Sequence, residues 1–144
     1  MKNLRMLFDL EGQILKKRRK ILNKCLEKEG LYFGQPKILR IIETNPECDQ
    51  NTLAKELGSS KASVTCSVKR LEKAGLIKKE VSLKDMRHNI LRLTDLGKEK
   101  SKKADEILMN TVLKQFEDFS EEEVEIILKL YEKINLSLDK EDIL

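Results

Sequence analysis

The stretch Asp49-Gln-Asn-Thr-Leu-Ala-Lys-Glu-Leu-Gly58-Ser-Ser-Lys-Ala-Ser-Val-Thr-Cys-Ser-Val-Lys-Arg-Leu-Glu-Lys-Ala-Gly75 reads as two short helices around a tight turn. Asp49 is placed to cap a helix over residues 50–57, with Leu53, Ala54 and Leu57 on one side and Gly58 ending it. Ser60 is placed to cap the next helix, residues 61–74, which Gly75 ends. On that second helix Val68 and Leu71 fall within about 40° of Val64, and the three form a narrow apolar seam. The opposite face carries Ala62, Cys66, Lys69, Arg70 and Lys73, flanked by Ser63, Thr65 and Ser67. Two helices joined in this way form a helix-turn-helix, whose second helix fits a DNA major groove. An ordinary amphipathic surface helix is the plainer alternative.

The period changes after Gly75. Residues 76–81 and 88–93 read as short strands separated by a polar turn at 82–87, and a hairpin placed directly after a recognition-like helix reads as a wing. Lys84, Arg87 and His88 cluster at that turn, where Arg suits the minor groove electrostatically. Asp85, two residues before Arg87, is placed to brace its guanidinium; a solvated turn with a surface ion pair fits the same residues.

Outward from this core the chain is helical. Leu4, Leu7, Phe8, Ile14, Leu15, Ile21, Leu22, Cys25 and Leu26 recur at helical spacing over residues 4–29. Gln35-Pro36 opens a helix carrying Ile38, Leu39, Ile41 and Ile42, and Asn45-Pro46 stops it. Thr94 caps a long helix expected to reach Phe119, and Ser120 with Glu123 forms a capping box for a last helix ending near Leu138. The fold class expected is mainly α with a small β-wing, in a single domain over 1–144. Residues 31–97 form the winged helix-turn-helix, flanked by dimerisation helices at 1–30 and 98–144. Val124, Ile127, Leu128, Tyr131 and Ile134 lie in helical register on the last helix, with Ile126 and Leu130 opposite. So wide an apolar girdle on so short a chain points to pairing with a second copy.

Composition agrees with this reading. The chain has 144 residues, 40% hydrophobic and 38% charged, with 4% aromatics and no Trp, so its core rests on Leu, Ile and Val. Its net charge is +4, but residues 58–92 hold nine bases and three acids, +6, which leaves the remainder at −2. A local cluster of this kind is what phosphate binding uses. Cys25, Cys48 and Cys66 form no C-x-x-C pair and are odd in number, which suits a reducing compartment. With no leader-like opening and no long apolar run, the expectation is a soluble cytoplasmic protein with no membrane partner. One histidine, no phosphate-cradling glycine loop, no metal-spaced Cys/His cluster and no nucleophile elbow argue against an enzyme, a metal or a cofactor. A winged helix can also bind protein or RNA. The basic segment speaks against pure protein contact, and the lack of aromatics between 58 and 92 speaks against RNA.

The run Lys16-Lys17-Arg18-Arg19-Lys20 sweeps about 400° around a helix, so some of these side chains must lie along neighbours. Two readings stand, a solvated stretch and part of an anion-binding cleft.

The motifs Asn51-Thr-Leu-Ala-Lys-Glu-Leu-Gly58, Ser60-Lys-Ala-Ser-Val-Thr65, Val68-Lys-Arg-Leu-Glu-Lys-Ala-Gly-Leu-Ile77, Asp85-Met-Arg87 and Leu91-Arg-Leu-Thr-Asp-Leu-Gly97 resemble the core of a MarR-family regulator. The resemblance is carried by residues 35–97, with flanking helices of suitable length. It implies a homodimer on a pseudo-palindromic operator in double-stranded DNA, usually a repressor, often released by a small anionic or phenolic effector. The DNA-binding residues expected are Ser60, Lys61, Ser63, Thr65, Cys66, Lys69, Arg70, Lys84, Arg87 and His88. Ser63 and Thr65 are assigned to base edges and the cations to phosphate. The family commonly places Arg or another long polar residue where Cys66 stands. A redox-sensitive thiol at Cys66 is the alternative to simple substitution, and it needs Lys69 and Arg70 to depress the thiol pKa. The family's peroxide-sensing arrangement fits poorly, because Cys25 lies late in the first helix with only Tyr32 near it in sequence.

Overall fold

In a computed structural model, residues 1–140 are described. The order is α1 (Lys2–Glu27), α2 (Gln35–Thr44), α3 (Gln50–Leu57), α4 (Lys61–Lys73), β1 (Ile77–Val81), β2 (Asn89–Leu93), α5 (Asp95–Gln115) and α6 (Glu121–Leu138). Mainly helical with one two-stranded sheet, the chain has the expected fold class. Residues 141–144, assigned to the last dimerisation segment, lie outside the described residues.

Two compact units divide the chain, the first Met1–Met109 and the second beginning at Asn110. The core of the first gathers Leu39, Leu53, Val64, Val68, Leu71 and Leu91, all essentially without exposure. Val64, Val68 and Leu71 are the three positions of the α4 seam, so 3.6-residue periodicity places that helix correctly. Each buried side chain of this size contributes about 1.5–3 kcal/mol relative to an exposed one, which seats α4 on α3 and β1 and leaves its other face to solvent.

The helix ends follow the chemistry of their caps. Asp49 Oδ1 accepts the Thr52 N–H at 2.7 Å, and Ser60 Oγ accepts the Ser63 N–H at 3.2 Å. Gly58 ends α3 in the left-handed region, φ 62°, which lets the chain turn into α4 within three residues. β1 and β2 pair antiparallel, with Ile77 opposite Leu93 and Val81 opposite Asn89. The start of α5 is strapped to the chain entering β1: Thr94 N–H donates to Leu76 O at 3.0 Å, and Thr94 Oγ1 donates to Gly75 O at 2.6 Å.

In the second unit, the expected capping box is present, with Ser120 Oγ accepting the Glu123 N–H and Glu123 Oε2 accepting the Ser120 N–H. No residue of α6 is buried, and Val124, Ile126, Leu128, Leu130, Tyr131, Ile134, Leu136 and Leu138 are all exposed. α5 ends at Gln115 rather than Phe119. The Phe116 N–H is shared between Val112 O and Leu113 O, and the rings of Phe116 and Phe119 meet edge to face at 5.3 Å across the turn. Among the described residues, no helix is long and apolar enough to cross a membrane, and no cluster of three or more His, Cys, Asp or Glu could hold a metal.

Candidate nucleic-acid interface

The buried seam of α4 decides which side chains reach solvent. Ser60, Lys61, Ser63, Cys66, Lys69, Arg70 and Lys73 are exposed, and Thr65 is half-buried. Thr65 Oγ1 lies 2.9 Å from Lys61 O and 3.1 Å from Gln50 Oε1, so this hydroxyl joins α4 to α3. Gln50, which sequence reasoning passed over, is thereby held beside the recognition face. Ser63 is left as the exposed hydroxyl near the helix start.

The basic segment divides once its ion pairs are placed. Lys78 Nζ lies 3.1 Å from Glu80, Arg92 Nε lies 3.4 Å from the same carboxylate, and Lys79 Nζ lies 3.4 Å from Glu72. The ammonium of Lys78 and the guanidinium of Arg92 both bond the Glu80 carboxyl and hold it below the usual range. Lys78 stands directly opposite Arg92 in the sheet, so the carboxylate relieves a like-charge pair. Among the described residues, no carboxylate lies within ion-pair distance of Lys61, Lys69, Arg70, Lys73, Lys84 or Arg87. Within the basic segment, uncompensated positive charge therefore lies on α4 and the hairpin turn.

That turn is ordered by its own polar groups. Ser82, 3% exposed, accepts the N–H groups of Lys84 and Asp85 and donates to Glu47 Oε2 at 2.9 Å. Asp85 Oδ1 accepts the Arg87 backbone N–H at 3.0 Å; it braces the backbone, not the guanidinium. His88 Nε2 lies 2.6 Å from Asp49 Oδ2, and the Leu91 N–H donates to Cys48 O at 2.7 Å. Glu47, Cys48 and Asp49, the residues that lead into α3, thus hold the base of the hairpin at three points. Lys84 and Arg87 project from it into solvent.

The three thiols differ. Cys66 is exposed on α4, Cys25 is half-buried in α1, and Cys48 is fully buried. Burial, followed by the nearby charges of Asp49 and Glu56, pushes the Cys48 thiol up to about 11.

A cleft of about 360 Å³ opens between α1, α2 and the first part of α5. Its lining is mostly apolar (Leu22, Leu26, Phe33, Pro36, Ala104 and Leu108), with Lys37, Arg40 and Asp105 as the charged members. From the basic run of α1, the Arg19 guanidinium stacks 4.7 Å above the Phe33 ring, so one member of that run does lie along a neighbour.

Comparison with known proteins agrees with this geometry. The MarR family model matches residues 26–88, which contain α2, α3, α4 and the hairpin turn. Over this segment the chain is similar to the MarR family, and its fold is a winged helix. The uncharacterized HTH-type transcriptional regulator YdgJ of Bacillus subtilis (strain 168) is 31% identical to it over 87 residues, 58% of this chain and 53% of that protein. The match thus spans about half the length of that curated relative. Among solved structures, a MarR-like transcription regulator from Bacillus cereus ATCC 10987 superposes with a TM-score of 0.81 at 21% identity, covering 96% of this chain and all of that one. The S. aureus MepR–DNA complex gives 0.75 at 23%, covering 90% and 94%. E. coli MarR complexed with operator DNA gives 0.75 at 20%, covering 92% and 95%. At these identities the solved structures establish the shared MarR fold.

Proposed function

We propose that this protein is a double-stranded DNA-binding transcription regulator of the MarR type, acting as a homodimeric repressor on a pseudo-palindromic operator. The observation that carries the reading is that, within the basic segment 58–92, the Lys and Arg without an ion pair lie on the exposed face of α4 and on the hairpin turn. These are the two parts of a winged helix that approach a duplex. Residues 31–97 are the DNA-binding lobe. Lys61, Lys69, Arg70, Lys84 and Arg87 contact phosphate or the minor-groove wall, with Ser60 and His88 beside them. Ser63, Thr65 and Cys66 face base edges, Thr65 chiefly by positioning Gln50. Residues 1–30 and 98–144 supply the dimer contacts, supported by the exposed apolar side chains of α6 and by Leu4, Leu7 and Phe8 of α1.

The cleft between α1, α2 and α5 supports release by a small effector. An apolar chamber with Lys37 and Arg40 in its wall suits an aromatic or phenolic anion.

A salt-titrated binding assay on duplex DNA, single-stranded DNA and RNA tests the reading. Duplex binding is expected to be tightest, with log K falling linearly against log salt by about 0.9 per phosphate contact. Tighter binding to RNA, or a flat salt response, overturns it. Thermal unfolding with aromatic carboxylates tests the effector: a ligand of the cleft raises the midpoint, and Arg40→Ala abolishes the rise.

A further inference from the structure

Phosphate attraction accounts for Lys84 and Arg87 but not for their neighbours in the turn. Leu83 is 94% exposed and Met86 77%, among the most exposed aliphatic side chains of the protein. They are not on a loose loop. Ser82 accepts two backbone N–H groups, Asp85 O accepts the His88 N–H, Asp85 Oδ1 accepts the Arg87 N–H, and Glu47 and Asp49 anchor the base. With Ser82, Asp85 and His88 so engaged, the turn holds two apolar side chains and two cations outward from a pre-ordered backbone.

We propose that Leu83 and Met86 form an apolar wedge that enters the DNA minor groove beside Arg87 and opens a base step there, so that the bound duplex is kinked at each wing. The proposal rests on the duplex-binding reading above. The occupant follows from the mixture of chemistries. Lys84 and Arg87 match phosphate-lined groove walls, while Leu83 and Met86 gain only where sugars and unstacked base faces take them out of water. Apolar side chains placed between base steps in this way unstack them and bend the duplex toward the major groove. The deformation is least costly at pyrimidine–purine steps, so the wing selects sequence by flexibility rather than by hydrogen bonding. Such selection complements an α4 whose exposed face carries the small groups Ser63 and Cys66 near its start.

The test uses duplexes recovered by the wild-type protein from a randomised pool and labelled at both ends with a fluorescence donor and acceptor. The wild type is expected to shorten the end-to-end distance and to enrich TA or CA steps in the flanks. The double variant Leu83→Ser, Met86→Ser is expected to bind about ten-fold more weakly. It leaves the duplex straighter and loses the flank preference, while its salt slope is unchanged because no charge is removed. Its thermal midpoint stays at the wild-type value, since neither side chain belongs to the core, and the exchange Leu83→Met, Met86→Leu keeps the bend. An equal bend in wild type and the Ser variant overturns the wedge and leaves the DNA-binding reading standing. A pool that yields no bound duplex overturns both.

Discussion

The imidazole Nε2 of His88 lies 2.6 Å from Oδ2 of Asp49, so one carboxylate both caps α3 and holds the base of the hairpin. Burial works to raise the Asp49 carboxyl, but hydrogen bonds from Thr52 and from His88 together outweigh it and hold the group below its ordinary value of 3.8. A carboxyl that is more acidic in the folded chain contributes stability above the ordinary value, and that contribution fades as pH falls through the lower folded value. Asp49→Ala is expected to cost about 1–2 kcal/mol at neutral pH through the lost cap. Asp49→Asn keeps a capping oxygen and is expected to cost less. The gap between wild type and Asp49→Asn, read by urea unfolding, should close as the pH is taken below 3.8. A gap that holds constant into acid would falsify the charged role of Asp49.

Gly97 has a different constraint from the other glycines. A Cβ built there would sit 1.9 Å from Leu76 O, a backbone atom already accepting from Thr94. The first turn of α5 lies against the chain entering β1 so closely that only glycine fits. Gly97→Ala is therefore expected to destabilise by about 3 kcal/mol, the upper end of ordinary overpacking. Gly12, within α1, meets nothing within 4 Å, and Gly12→Ala is expected to stabilise by about 0.5–1 kcal/mol. Paired urea titrations check both signs, and equal effects in the two variants would remove the close-approach argument.

Legibility in the sequence tracked the range of the interaction. The α4 seam, the caps at Asp49, Ser60 and Ser120, and the two strands are local patterns, and all are present in the structure. The end of α5 was not legible, because residues 116–119 carry neither Gly nor Pro; the Phe116 and Phe119 rings meet across the turn that follows the helix. The partner of His88 lies 39 residues away and that of Ser82 lies 35 away, separations that no periodicity encodes. The neutralisation of Lys78 and Arg92 by Glu80 follows from strand register, so a charge count alone could not divide the basic segment.

The thiols should separate kinetically. Cys48 is fully buried with its pKa pushed up to about 11, so at neutral pH it presents a protonated sulfur with no access to reagent. Iodoacetamide with mass-spectrometric mapping is expected to label Cys66 first, Cys25 more slowly, and Cys48 only when the chain unfolds. Labelling of Cys48 at the Cys66 rate in the folded protein would contradict the packing around the residues that lead into α3.

Arg70 and Arg92 are both cations of the basic segment, yet only Arg92 bonds a carboxylate, Glu80, at 3.4 Å. A cation already neutralised within the protein releases few counterions on meeting phosphate, whereas an unpaired one on α4 releases close to a full complement. If the unpaired set forms the DNA surface, Arg70→Ala should weaken duplex binding on every sequence and lower the log–log salt slope by about 0.9. Arg87→Ala should do the same from the wing. Arg92→Ala should leave the slope unchanged and alter stability by less than about 1 kcal/mol, as expected of a partly exposed ion pair. Fluorescence anisotropy over a salt series distinguishes the three variants. A slope lowered equally by Arg92→Ala would show that the sheet, and not only α4 and the turn, lies against the duplex.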